Sequence, residues 1–220
     1  MKKSENMCKY KAVVFDLDGT LLDTSAGIIK SVDYTIKKMG LNNLSASQKR
    51  SFIGPPIQHS FKKTYCLDDE ATALAAGIFR NQYSEVDLFE AQPYEGIFDL
   101  LDLLRKRKIK IGVATYKRED YAHKILEHFG ISDYCDSIKG ADFEGKYTKQ
   151  VIIELCIGDL NVSKREVLMV GDTENDRIGA EKAVVDFLGV GYGFGYTTTQ
   201  GQELNLFAKE VEDIKTVLNL

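Results

Sequence analysis

Tyr10-Lys11-Ala12-Val13-Val14-Phe15-Asp16-Leu17-Asp18-Gly19-Thr20 is the stretch from which the rest of the chain is read. Residues 10–15 are largely β-branched or aromatic and stop at an acid, the pattern of a short buried strand. Strand alternation sends Asp16 and Asp18 to one side, about 6 to 7 Å apart along an ideal strand. Open parallel sheets bind ligands beyond the carboxyl ends of their strands, and Gly19 lets the backbone turn close to a ligand there.

Similar runs recur at residues 109–114, 166–170 and 185–190, with a weaker one at 134–139. Between them apolar residues fall at helical spacing: Ile97, Leu100, Leu101 and Leu104, then Ala122, Ile125, Leu126 and Phe129, then Val151, Ile152, Leu155 and Cys156. Strands alternating with helices predict an α/β fold, a parallel sheet of five strands, and a last helix over residues 208–218. One stretch breaks the rhythm. Residues 24–92 read as helices only, with stripes at Ile28, Ile29, Val32, Ile36 and Met39 and at Ala71, Leu74, Ala75, Ile78 and Phe79. The division is therefore a core of residues 1–23 and 93–220 and an inserted helical domain of residues 24–92. Gly54-Pro55-Pro56 marks a stiff turn inside the insert, and Pro93 a return hinge.

A second acidic group, Gly171-Asp172-Thr173-Glu174-Asn175-Asp176, follows the run at 166–170, so Asp172 and Asp176 are expected to join Asp16 at one sheet edge. Three converging carboxylates repel unless a hard divalent cation holds them, and an oxygen-only donor set suits Mg²⁺. Taken alone, Asp172 to Asp176 could equally be acids at a helix start. The strand at 109–114 is closed by Thr115, with Tyr116 and Lys117 beyond it, a hydroxyl, backbone amides and an ammonium suited to phosphate. Lys149 precedes Val151, Ile152 and Ile153 and so stands near a helix start, where the dipole disfavours a cation that has no partner.

Composition excludes several classes. The 220 residues carry 29 basic and 33 acidic side chains, and a net charge of −4 is not that of a nucleic-acid binder. The basic residues of 1–6 are followed by Lys9, Lys11, Asp16 and Asp18, which leaves no apolar leader core, and the uncharged run 187–202 is too short and polar to span a membrane. A cytoplasmic location is expected. Cys8, Cys66, Cys135 and Cys156 form no C-x-x-C pair and are read as reduced, mostly buried thiols. His59 is read as a surface residue, and Gly189, Gly191, Gly193 and Gly195 as permitting a tight turn near the active edge.

Together Asp16-Leu17-Asp18-Gly19-Thr20, Thr115, Lys149 and Gly171-Asp172 to Asp176 resemble, in order and spacing, the four motifs of the haloacid dehalogenase superfamily. The insert resembles that superfamily's small helical cap, and Gly54-Pro55-Pro56-Ile57 is similar to its phosphoglycolate phosphatase-like branch. The resemblance implies a Rossmann-like parallel sheet with helices on both faces, and Mg²⁺-dependent hydrolysis of a small phosphorylated metabolite through an aspartyl-phosphate. It implies Asp16 as nucleophile and Asp18 as acid and base. Thr115, Tyr116 (through its amide) and Lys149 are expected on the phosphate, with Gly54, Pro55 and Pro56 beside the leaving group. Asp16, Asp172 and the Asp18 carbonyl are expected on the metal, with Asp176 on or near its water shell. Tyr116 departs from the usual small or amide residue and is expected to narrow the site. A phosphomutase, a pyrophosphatase and a phospho-aspartate binding protein stay open as alternatives; Asp18 argues against a true dehalogenase.

Overall fold

The computed structural model describes residues 8–201 and 203–220. Residues 1–6, considered above for a leader, lie outside the described residues, as does Gln202 at the end of the uncharged run. β1 (Ala12–Phe15) forms as expected, and all four of its side chains are fully buried. Val13 and Phe15 enter one apolar layer and Val14 the other, which is why the strand reads as a continuous apolar run.

β2 (Leu22–Asp23) and β3 (Gln92–Pro93) pair antiparallel, Leu22 opposite Pro93 and Asp23 opposite Gln92, and so clamp the entrance and exit of the insert. Between them come α1 (Ser25–Met39), α2 (Ala46–Arg50), α3 (Ile57–Tyr65), α4 (Asp69–Gln82) and a π-helical turn at Tyr83–Asp87. The stripes predicted α1 and α4. The other two carry little periodic signal, because α2 buries no residue and α3 buries only Ser60 and Phe61.

The chain continues through α5 (Ile97–Lys106), β4 (Lys110–Arg118), α6 (Glu119–His128), β5 (Ser137–Ala141), α7 (Lys149–Leu160) and β6 (Val167–Gly171). It closes with α8 (Glu174–Ala183), β7 (Asp186–Val190), the single turn α9 (Thr198–Gly201), β8 (Phe207–Ala208) and α10 (Val211–Val217). Six parallel strands lie in the order β5-β4-β1-β6-β7-β8. Residues from α5, α6 and α10 share one apolar layer and those from α7 and α8 the other, so helices cover both faces. The chain runs outward from β1 to β4 and β5, then returns to β6 on β1's other side, which places a topological switch at the end of β1.

Three boundaries differ from the sequence reading. The last helix starts at Val211 and not at 208, because Ala208 belongs to the two-residue β8. β5 starts at Ser137, because Ser132–Tyr134 coils into a 3₁₀ turn first. β4 runs on through Thr115, Tyr116 and Lys117 to Arg118, with its register against β5 shifting between Ala114 and Arg118. All four cysteines are free thiols, but only Cys156 is buried and Cys66 is exposed, a correction to the expected burial. No helix among the described residues is long and apolar enough to cross a membrane.

Candidate active site

Buried charge is concentrated in one place. Of the seven buried charged residues among those described, Asp16, Asp18, Lys117, Lys149, Asp172 and Asp176 cluster at or just beyond the carboxyl ends of β1, β4 and β6 and at the start of α7 and α8; the seventh, Asp87, lies in the insert. Burying an ion is tolerated only with a partner, so each group's partners describe the site.

Asp16, Asp172 and Asp176 can each offer one carboxylate oxygen such that the three lie within 4.8 Å of one another. Lys149, the first residue of α7, sends its ammonium to Asp16 Oδ1 and to Asp176 Oδ1, both at 2.7 Å. That is the partner its place at a helix start called for. Asp176 serves two ends: Oδ1 meets Lys149, while Oδ2 accepts the Thr173 N–H at 3.0 Å and the Thr173 hydroxyl at 2.6 Å, closing a capping box on α8. Asp172 Oδ2 accepts the Phe194 N–H at 2.7 Å, but Oδ1 is buried and has no hydrogen-bond partner. A divalent cation fits here: three hard oxygen donors meet one ammonium, and one orphaned oxygen lies among them.

Glycine makes the close approach possible. Gly19 has φ +86, and a Cβ on it would strike Asp172; one on Gly193 would strike the Gly19 carbonyl and Asp172. The glycine series thus packs against the acidic loop.

Asp18 stands apart from that cluster. Its Oδ1 accepts the Thr24 hydroxyl at 2.7 Å and the Lys117 ammonium at 3.0 Å. Lys117 also donates to the Tyr83 hydroxyl at 2.7 Å and lies over that ring. Thr24 is the N-cap of α1 yet makes no side-chain cap, since its hydroxyl is given to Asp18. In sequence Thr24 looks like an ordinary helix cap and Tyr83 like one more apolar position, so neither was singled out. Lys117 was placed at the sheet edge, without its link to Asp18.

Thr115 is buried and its Oγ1 accepts the Lys117 backbone N–H at 3.1 Å. The Tyr116 hydroxyl accepts the Lys149 N–H at 3.0 Å, occupying the first amide of α7, and its ring borders a cavity of about 120 Å³. Asp18, Lys117 and Gly54-Pro55-Pro56-Ile57 border the same cavity, so the turn of the insert and the end of β4 meet there. Lys146 pairs with Glu144 at the surface, and His59 is exposed.

Burial pushes the Asp16 carboxyl up to about 7, with Asp176 and Asp18 adding to it and Lys149 opposing. Burial, then Asp176 and Asp16, hold Asp172 well above the usual carboxylate range. Lys149 stays charged, since Asp16 and Asp176 outweigh the effect of its burial. A carboxyl raised on folding contributes stability that is fully present at pH values below its unfolded pKa and lost as pH rises through the folded one. Metal-free protein should therefore lose stability between about pH 4 and 8, by up to about 1.4 kcal/mol per pH unit per proton. Urea titrations in a chelator across that range check this; a flat profile would show that Asp16 ionises freely.

The model of the haloacid dehalogenase-like hydrolases matches residues 13–190. The chain belongs to that family. Among related haloacid dehalogenase-like proteins, the 5'-nucleotidase of Pseudomonas aeruginosa is 33% identical over 85% of each chain. The phosphoglycolate phosphatase of Agrobacterium fabrum is 33% identical over 87% of this chain and 84% of its own. The crystal structure of a predicted phosphatase from Clostridium acetobutylicum superposes with a TM-score of 0.89 at 36% identity, covering 96% of this chain and 99% of that one. The chain is thus a haloacid dehalogenase-superfamily enzyme with phosphatases as relatives and structural neighbours.

Proposed function

We propose that this phosphatase hydrolyses a small phosphate monoester through an aspartyl-phosphate on Asp16, with Mg²⁺ as cofactor. The observation that carries the reading is the buried group of Asp16, Asp172 and Asp176 around the Lys149 ammonium, with Asp18 alongside but bonded elsewhere. Two neighbouring carboxylates with different partners can divide the work of nucleophile and proton carrier.

Asp16, Asp172 and Asp176 would hold Mg²⁺, with the Asp18 carbonyl as a further donor, and the bound ion would offset the charge of the transferring phosphoryl group. Asp16 attacks phosphorus, and the bond to the leaving oxygen breaks as Asp18 protonates that oxygen. Asp18 then takes a proton from the water that attacks phosphorus, releasing phosphate and restoring Asp16. Both protein donors to Asp18 go to Oδ1, which leaves Oδ2 to carry the proton. Lys149 and Thr115 face the phosphoryl oxygens, together with the Tyr116 amide.

Residues 24–92 act in this reading as a cap over a core formed by 1–23 and 93–220, hinged at the β2–β3 pair. Tyr83 ties the cap to Lys117 and through it to Asp18. Gly54, Pro55 and Pro56 lie over the leaving group. The four free thiols support a cytoplasmic setting.

Release of phosphate from 4-nitrophenyl phosphate, with Mg²⁺ and with a chelator, tests the activity. Acid quenching during turnover should leave the mass of one phosphoryl group on the protein, and a peptide map should place it on Asp16. Metal-independent release, or no covalent adduct, would overturn the mechanism.

The metal assignment has its own test. Asp172→Asn is expected to raise the melting temperature of metal-free protein at alkaline pH, by about 2 to 4 °C per kcal/mol recovered, because it removes a carboxyl whose ionisation burial opposes. It should also cancel the upward shift that Mg²⁺ gives the wild type. An equal Mg²⁺ shift in both proteins would remove Asp172 from the metal.

A further inference from the structure

Among the described residues, every cation bordering the cavity or the acidic cluster is satisfied within the protein except one. Lys149 is held by Asp16 and Asp176, and Lys117 by Asp18 and the Tyr83 hydroxyl. Arg118 forms a two-pronged pair with Asp120, at 2.5 and 2.7 Å. Its guanidinium also lies 3.8 Å from the centre of the Tyr121 ring and 4.7 Å from that of Phe143. Arg80 differs: this half-buried side chain near the end of α4 has no ion pair and no side-chain hydrogen bond among the described residues. It borders the same cavity as Arg118, Asp18 and Lys117.

A partly desolvated guanidinium with a second cation on the same cavity is unfavourable without an anion to share. Burial first, and Arg118 second, push the Arg80 pKa down, which is the direction a missing anion produces. Tyr121 offsets this only in part, since its ring lies against the Arg118 guanidinium, and among the described residues no ring takes Arg80 in a cation–π contact. The cavity, at about 120 Å³, is of the order of the roughly 150 Å³ that admits a benzene ring, so the group it takes is small.

We propose that Arg80, backed by Arg118, is an anion subsite of the cleft, and that the preferred substrate carries a second anionic group, a carboxylate or a phosphate, on its leaving group. This rests on the phosphatase reading above and narrows it. Nucleoside and simple sugar monophosphates leave as neutral alcohols and would leave Arg80 unpaired. A short phosphorylated hydroxy acid or a small bisphosphate satisfies both ends of the cleft, with phosphate at Asp16 and the second anion at Arg80. A guanidinium meets either anion with paired, charge-assisted hydrogen bonds.

The test compares compounds of similar shape and different charge: phosphoglycolate, 2-hydroxyethyl phosphate and ethane-1,2-diol bisphosphate, each with Mg²⁺, on wild type, Arg80→Gln and Arg80→Lys. Wild type is expected to favour at least one charged compound over 2-hydroxyethyl phosphate by about tenfold or more in kcat/KM, mainly through KM. The charged compound with the larger preference identifies the anion. Arg80→Gln should bring that preference close to parity, whatever happens to the absolute rates, and Arg80→Lys should recover part of it. Equal wild-type kcat/KM for charged and neutral compounds, or a preference that survives Arg80→Gln, would overturn the subsite. Failure of the phosphatase reading has a different signature, no Mg²⁺-dependent phosphate release from any compound, 4-nitrophenyl phosphate included. Calorimetric titration of Asp16→Asn and Asp16→Asn/Arg80→Gln with phosphoglycolate and the bisphosphate then reads the subsite without turnover. Tighter binding to the protein that retains Arg80 supports it, and equal binding of both ligands to the two proteins refutes it.

Discussion

Asp16→Asn is expected to lower phosphate release by on the order of 10⁵-fold or more while leaving the protein folded. Hydrolysis of phosphate monoesters is among the slowest uncatalysed reactions, so in the proposed mechanism almost all of the rate rests on the covalent path, and an amide cannot open it. Removal of a nucleophile from a unit of cooperating groups typically costs about as much as removing the unit. The fold should survive, because burial already disfavours charge at position 16 and the variant relieves it. Lys149 keeps Asp176 as its partner. In metal-free protein the loss of stability between pH 4 and 8 should flatten in the variant, which separates a chemical effect from a structural one. Phosphate release and thermal melting on one preparation decide it; activity within tenfold of wild type would remove Asp16 from the chemistry.

Lys149→Met should damage both folding and catalysis. In metal-free protein it leaves three buried carboxylates with no cation among them, and breaking a buried pair from one side costs about 3–5 kcal/mol. For a domain of this size that is a fall in melting temperature of about 6 to 20 °C. The deficit should shrink as pH falls from 8 towards 5, since protonated carboxyls no longer need the ammonium. Lys149 itself does not titrate in that window, because its pKa is raised by Asp16 and Asp176 despite burial. Mg²⁺ should restore part of the stability by supplying positive charge, without restoring turnover, which should stay about 10²- to 10³-fold down or lower for want of the donor that the proposed mechanism places on the phosphoryl oxygens. A variant that melted with wild type at every pH would show that water solvates the cluster.

The positions of Asp16, Asp18, Asp172 and Asp176 at sheet edges were legible because a strand's end is a local event. An apolar run stops at an acid, and parallel topology requires all such ends to point one way. Lys149 was legible for a similar reason, as a cation at a helix start that needed an anion. What pairs with what was not legible. The same sequence is compatible with a Thr24 that caps its helix and with one that serves Asp18, and only the folded chain, which brings the Thr24 hydroxyl to the Asp18 carboxylate, selects the second. Tyr83 meets Lys117 across 34 positions, and Arg80 borders the same cavity as Arg118, 38 positions away, a neighbourhood that no periodicity encodes. The short elements α2, α3 and β8 were missed for a related cause: they bury too few residues to leave a pattern. The sequence by itself determined the alternation of strands and helices, the helical insert and the acids at the sheet edge, since these follow from hydrophobic period and turn chemistry over a few residues. Tertiary structure alone decided which carboxylates share a cation, which one keeps a separate partner and which arginine faces the cleft unpaired, because charge pairing is set by distance in space between groups far apart in the chain.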